Sequence, residues 1–208
     1  MRTGEALLKR HADPMEGFLH HAFFHQVEQG TLSRTARDAY FVYEHRFVEE
    51  AVVVLGHILT KAPTTASRTH IVSMLHGLVT DQFAMFDRIL ARIGRPNLAT
   101  PASVADFCVG MTAISRDGSY AEGLAAMFAA EWTYARVSER LRAITVEDEL
   151  LRDWFDLHTQ PRFLDGVAWL EAELDAVAHA QAPELSEAFL RAIALEIDFH
   201  DAPLRAFE

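Results

Sequence analysis

Apolar residues recur at helical spacing along almost the whole chain, and the residues that interrupt them are helix caps and stops. Asp13-Pro14 reads as an N-cap followed by proline at the first helical position, opening a helix that closes at Gly30. Ser33 caps the next, which runs unbroken to about Lys61, before Ala62-Pro63. A third extends from about Thr65 to Ile93, with Gly94 as a left-handed stop and Pro96 just beyond. Thr100-Pro101 repeats the cap-plus-proline signal and Asp117-Gly118 ends that helix. Ser119 begins a fifth, to about Ala143, and Thr145-Val-Glu-Asp resembles a capping box opening a sixth, to about Thr159. Pro161 to about Ala180 and Pro183 to about Leu204 complete a set of about eight. Val52-Val-Val-Leu is β-prone, but it sits inside a pattern far too long for a strand. The expectation is an all-α bundle, one domain over residues 1–208, with neither linker nor internal repeat.

Three of these helices carry a chemistry that a plain core does not need. Glu196, Phe199 and His200 fall at i, i+3 and i+4, which stacks a carboxylate, an aromatic ring and an imidazole on one face. Tyr43-Glu-His-Arg-Phe-Val48 and Ala130-Glu-Trp-Thr-Tyr134 carry the same mixture. Buried charge must be paired or used, so the three segments predict a polar pocket inside the bundle. A net charge of −11, from 19 basic and 30 acidic residues, argues against a nucleic-acid partner, because phosphate contacts need clustered Lys and Arg. No apolar run approaches the ~18 residues of a spanning helix, so no membrane partner is expected. A single cysteine, Cys108, permits no internal disulfide, and the N-terminus lacks the pattern of a signal peptide. A reducing cytoplasm is the simplest location.

The chain resembles the TenA family, the thiaminase II group with a haem-oxygenase-like helical fold. The resemblance rests on His21-Ala-Phe and Gln29-Gly-Thr-Leu32, Tyr40 to Val48, Leu124 to Tyr134, Trp154 to Phe163, and Glu196-Ile-Asp-Phe-His200. In the cysteine-dependent members the nucleophile would sit at position 130, here Ala130; a glutamate one residue later, Glu131, is similar to the cysteine-less branch. The resemblance implies a hydrolase that cuts a C–N bond of a small aminopyrimidine or related heterocycle, as in thiamin salvage. It assigns Glu196 as general acid and base, Tyr134 as its orienting partner and Glu131 as the group that polarises substrate or water. It assigns substrate binding to His45, Phe47, Phe107, His158, Phe199 and His200, with no cofactor, and implies a homodimer or homotetramer. By ungapped count, imidazoles stand at 45, 158 and 200 where the family has Asp, an aromatic and Trp. A neutral imidazole cannot anchor a heterocycle's edge with charge as a carboxylate does.

Two other readings use the same residues. His45, Glu131, His158, Glu196 and His200 are a mixed set that Fe, Mn or Zn accept, which would make a metal-dependent oxidase or oxygenase on this scaffold. Alternatively the pocket is kept and the chemistry lost, leaving a small-molecule binding protein; the histidine at 45 is its main support. His21 and His25 are also spaced i, i+4 but sit beside His20 on an aromatic-rich helix and read as rim or surface residues; His57, His70, His76 and His179 have no partner pattern, and Cys108 reads as a small buried hydrophobe.

Overall fold

The computed structural model describes residues 2–178 and 182–205, and among them every regular element is helical. The helices are α1 (Thr3–Arg10), α2 (Ala12–Leu19), α3 (Ala22–Glu28), α4 (Arg34–Lys61), α5 (Thr65–Gly77), α6 (Phe83–Arg92), α7 (Ala102–Asp117), α8 (Tyr120–Arg142), α9 (Glu149–Leu157), α10 (Pro161–Val177) and α11 (Pro183–Arg205). His179 and the expected end of the seventh helix near Ala180 lie outside the described residues.

Long helices fall where the apolar pattern is long, and their ends are held by the expected side chains. Ser33 accepts from Ala36 N at the start of α4, and Thr64 accepts from Ser67 N at the start of α5. Gly94 takes a left-handed φ of +80° after α6, and Pro161 stands at the first position of α10. Other signals were misplaced. Asp13 lies within α2 rather than capping it, and the expected helix to Gly30 breaks at His20-His21, where the His21 ring accepts from Phe23 N and starts α3 anew. Thr145 caps nothing, because Asp148 nearer the helix offers a carboxylate to both Leu150 N and Leu151 N. The capping box belongs to α8, between Ser119 and Glu122.

The expected helix from Thr65 to Ile93 is continuous but not uniform. Between α5 and α6 the chain winds through a π-helical turn, Leu78–Gln82. Such turns widen a helix locally, expose carbonyls and are often found beside functional sites.

The bundle is organised around α8, which packs against α11, α10, α7 and α4, while α7 also packs against α4 and α11. Its middle, Leu124 to Ala130, is almost wholly buried and rich in alanine, so neighbouring helices approach closely. At the α7–α11 crossing a Cβ on Gly110 would lie 2.5 Å from Leu195 Cδ1, so any larger residue would force the Leu195 side chain to turn aside. Fully buried phenylalanines, among them Phe18, Phe23, Phe24, Phe86, Phe128 and Phe189, fill the space around α8 and α11.

Candidate active site

The inward faces of α4, α8 and α11 meet in a small cavity of about 40 Å³, lined by Glu44, Phe47, Val48 and Ala51 from α4, Ala130, Glu131 and Tyr134 from α8, and Glu196 from α11. Leu78 and Gln82 of the π-helical turn and His158 at the end of α9 close it. It is large enough for two or three waters. A second hollow of about 180 Å³ adjoins it, sharing Leu78, Gln82 and Glu131 and lying against α5, α9 and α10.

Three carboxyl groups therefore surround one space, and their burial decides their protonation. Glu44 is buried, and removal from water, followed by the nearby Glu131 charge, pushes its carboxyl up to about 8. Glu131 bridges the two hollows and burial raises it to about 7. Glu196 is held well above the ordinary carboxylate range, first by burial and then by the charges of Glu44 and Glu131. Like charges crowded into one buried site cannot all ionise together, so near neutrality the trio holds protons as well as charge. That combination is what a site for proton transfer requires.

The neighbours of the trio are fixed by hydrogen bonds. Trp154 Nε1 donates to both Tyr134 Oη and Tyr40 Oη, at 2.8 Å each, which fixes the Tyr134 hydroxyl as an acceptor and leaves its own proton to donate. Tyr134 is buried, and burial together with the Glu196 charge raises its phenol. His158 Nδ1 lies 2.7 Å from Trp154 O. A carbonyl only accepts, so Nδ1 carries the proton and Nε2 is a lone pair. Burial lowers this imidazole to about 4, so it is neutral and ready to accept.

Not every expected site residue reaches the cavity. Glu131, Tyr134, Glu196, Phe47 and His158 line it; His45, Phe107, Phe199 and His200 do not. His45 is turned about a quarter of the way around α4, its ring 5.3 Å from Phe86 and 6.4 Å from Phe83, with Glu49 at 3.9 Å. Phe107 is fully buried and stacks directly on Phe47 with centroids 4.0 Å apart, so the pair leaves no slot for a ring between them. Phe199 packs behind Phe107 at 5.0 Å. His200 is sealed in a box of Phe18, Phe23, Phe24, Phe199 and Tyr40; its Nδ1 donates to Glu196 O at 2.8 Å, and its Nε2 has no partner.

Glu44 is the residue that sequence reasoning missed. A count without gaps set the family's acid at 45, but Tyr40, Glu44, Phe47, Val48 and Ala51 share one helical face and His45 is roughly 100° away from it. The periodicity of α4 contained that answer. A carboxyl group one residue earlier, Glu44, therefore lines the cavity in place of the His45 ring. We expect His45→Ala to change kcat and KM less than about threefold while costing a few tenths to about 1 kcal/mol of stability, measured by steady-state kinetics and chemical denaturation.

The imidazole set proposed for a metal does not converge either. Among the described residues no group of three or more His, Cys, Asp or Glu side chains is arranged to hold a metal ion. Of the five residues, Glu131, His158 and Glu196 line the cavity, whereas His45 faces Phe83 and Phe86 and aromatic rings wall off the free nitrogen of His200. Cys108, half-buried on α7, is pushed up to about 11 by burial and by Glu50 and Glu44, so it remains a thiol.

A family model described as TENA/THI-4/PQQC matches residues 8–206. The chain belongs to that family. A TenA homologue from P. horikoshii OT3 superposes with a TM-score of 0.89 at 18% identity, covering 99% of this chain and 100% of that one. A TenA family transcription regulator from Silicibacter sp. TM1040 gives 0.87 at 19% identity, over 98% of this chain and 97% of that one. A candidate TenA-like thiaminase from Sulfolobus solfataricus P2 gives 0.82 at 16% identity, over 97% and 95%. No curated protein matches the chain significantly. The TenA homologues share the helical fold, the haem-oxygenase-like bundle. Among the described residues no helix is long and apolar enough to cross a membrane.

Proposed function

We propose that the protein is a TenA-type hydrolase that cleaves a C–N bond on a small aminopyrimidine or related nitrogen heterocycle. The observation that carries this reading is the meeting of Glu44, Glu131 and Glu196 in one enclosed space with Tyr134 and His158. A ring edge rich in N–H donors and basic nitrogens finds there both charged acceptors and protonated donors. A phosphoryl substrate would bring its negative charge against whichever of the three is ionised.

In this reading Glu44 anchors the amino-substituted edge of the heterocycle. Glu196, protonated by its surroundings, gives its proton to the departing nitrogen. Water bonds to the carbon as the C–N bond breaks, the bonding pair leaves with the nitrogen, and the water's proton passes to the Glu131 carboxylate. Tyr134, fixed by Trp154, directs its hydroxyl proton toward Glu196. His158 Nε2 can accept from the substrate or from water. Admitting a ring requires the half-buried Phe47 and Gln82 at the cavity rim to turn outward.

The test is ammonia release from an aminomethylpyrimidine, with the hydroxymethylpyrimidine identified as co-product. Binding of the pyrimidine without turnover in wild-type protein would replace the hydrolase with a ligand-binding protein.

A further inference from the structure

The larger hollow is not accounted for by the reaction just described. Its walls are mainly apolar: Leu55, Met74, Leu78, Leu157, Phe163 and Val167. Its one full charge pair is internally satisfied, Arg162 Nη1 donating to Asp81 at 2.7 Å and Nη2 to Ser73 O at 3.0 Å. A nitrogen-rich ring would gain nothing from such walls, whereas the acids of the inner cavity suit it. An apolar group would gain from every wall.

Two glycines keep the hollow open. Gly166 lies in the interior of α10, where glycine is disfavoured relative to alanine, and no tight packing explains it: a Cβ built there would meet only Met74 Cε, at 4.0 Å. Gly77 ends α5, where a Cβ would lie 3.3 Å from the Arg162 guanidinium, which would have to give by a few tenths of an ångström. At about 180 Å³ the space compares with engineered apolar cavities of about 150 Å³ that bind benzene.

We propose that this chamber is a second subsite, that it takes an uncharged, apolar substituent about the size of one six-membered ring carried by the nitrogen heterocycle, and that Gly166 sets its size limit. The inference rests on the inner cavity being the reaction site, with which the chamber shares Leu78, Gln82 and Glu131 as common walls. The preferred substrate is then an N-substituted amine rather than the free one.

Calorimetric binding of an aminomethylpyrimidine and its N-benzyl derivative to wild type, Gly166→Leu and Gly166→Ala tests it. Wild type should bind the benzyl compound roughly 10- to 100-fold more tightly than the parent. Gly166→Leu should lose that gain and bind the parent unchanged; Gly166→Ala, which helix propensity favours, should fold at least as stably and lose part of the gain. Equal binding of the two compounds by wild type, a gain that survives Gly166→Leu, or equal weakening of both compounds would overturn the proposal. If neither pyrimidine binds, the hydrolase reading fails, and benzyl alcohol alone decides the chamber. Binding to wild type but not to Gly166→Leu sustains it, and no binding to wild type overturns it.

Discussion

Replacing Glu196 with glutamine lowers kcat on an aminopyrimidine by roughly 10²- to 10⁴-fold, the range that general acid–base groups contribute, while KM changes little. Glutamine keeps the size and hydrogen-bonding reach of the side chain but can neither release nor take up a proton. The expectation of so large an effect comes from placement. Glu196 is buried, faces the cavity, and is kept protonated by burial and by the charges of Glu44 and Glu131. Its backbone is tied down as well, since the sealed His200 ring donates to its carbonyl. A variant with kcat within about tenfold of wild type would remove Glu196 from the proton-transfer role. A rise in KM with kcat unchanged would instead make it a binding group only.

The second large effect concerns stability and its dependence on pH. Glu44 titrates at about 8 in the folded protein against an ordinary 4.5. Between those values the folded state holds a proton that the unfolded chain has released, so stability falls as pH rises through this window. The slope contributed by this one group is about 1.4 kcal/mol per pH unit at most. Glu44→Gln has no such group. It should gain stability over wild type progressively from about pH 5 to pH 8, and match it below the ordinary value, where both side chains are neutral. The same variant should bind the heterocycle poorly, so stability and function change in opposite directions. Urea denaturation at several pH values reads this directly; parallel curves for the two proteins would mean that Glu44 ionises freely.

The buried histidines act on the acid side. His158 and His200 stand at about 4 and about 3, below the ordinary 6.5. Below 6.5 the unfolded chain takes up protons that the folded one refuses, so stability falls as pH drops toward the folded values.

The sequence made the helices and their pocket legible because both leave periodic traces. The long apolar patterns of α4, α8 and α11 and the caps at Ser33, Gly94 and Pro161 needed only local chemistry. Glu131, Tyr134 and Glu196 stood out as polar residues on apolar faces. What was lost turned on angles around a helix axis. His45 and Glu44 are neighbours in sequence yet roughly 100° apart on α4, and only Glu44 lines the cavity. Phe107, Phe199 and His200 lie on inward faces too, but one layer behind the cavity, and no one-dimensional pattern separates a wall from what backs it. The π-helical turn was invisible for another reason: its residues, Leu-Val-Thr-Asp-Gln, carry no breaker, and packing against the rest of the bundle sets the winding. The chamber behind Gly166 depends on empty space, which a sequence does not record.

The proposed chemistry depends on three glutamates sharing protons in one small cavity. The most direct measurement is an NMR titration of the glutamate side-chain carboxyl carbons between pH 3 and pH 9, assigned with Glu44→Gln, Glu131→Gln and Glu196→Gln. Here Glu131 should titrate near 7, Glu44 near 8 and Glu196 well above ordinary carboxyls, with Glu131→Gln lowering the midpoints of Glu44 and Glu196 and Glu44→Gln lowering that of Glu196. Three independent midpoints near 4.5, unmoved by the substitutions, would contradict the account.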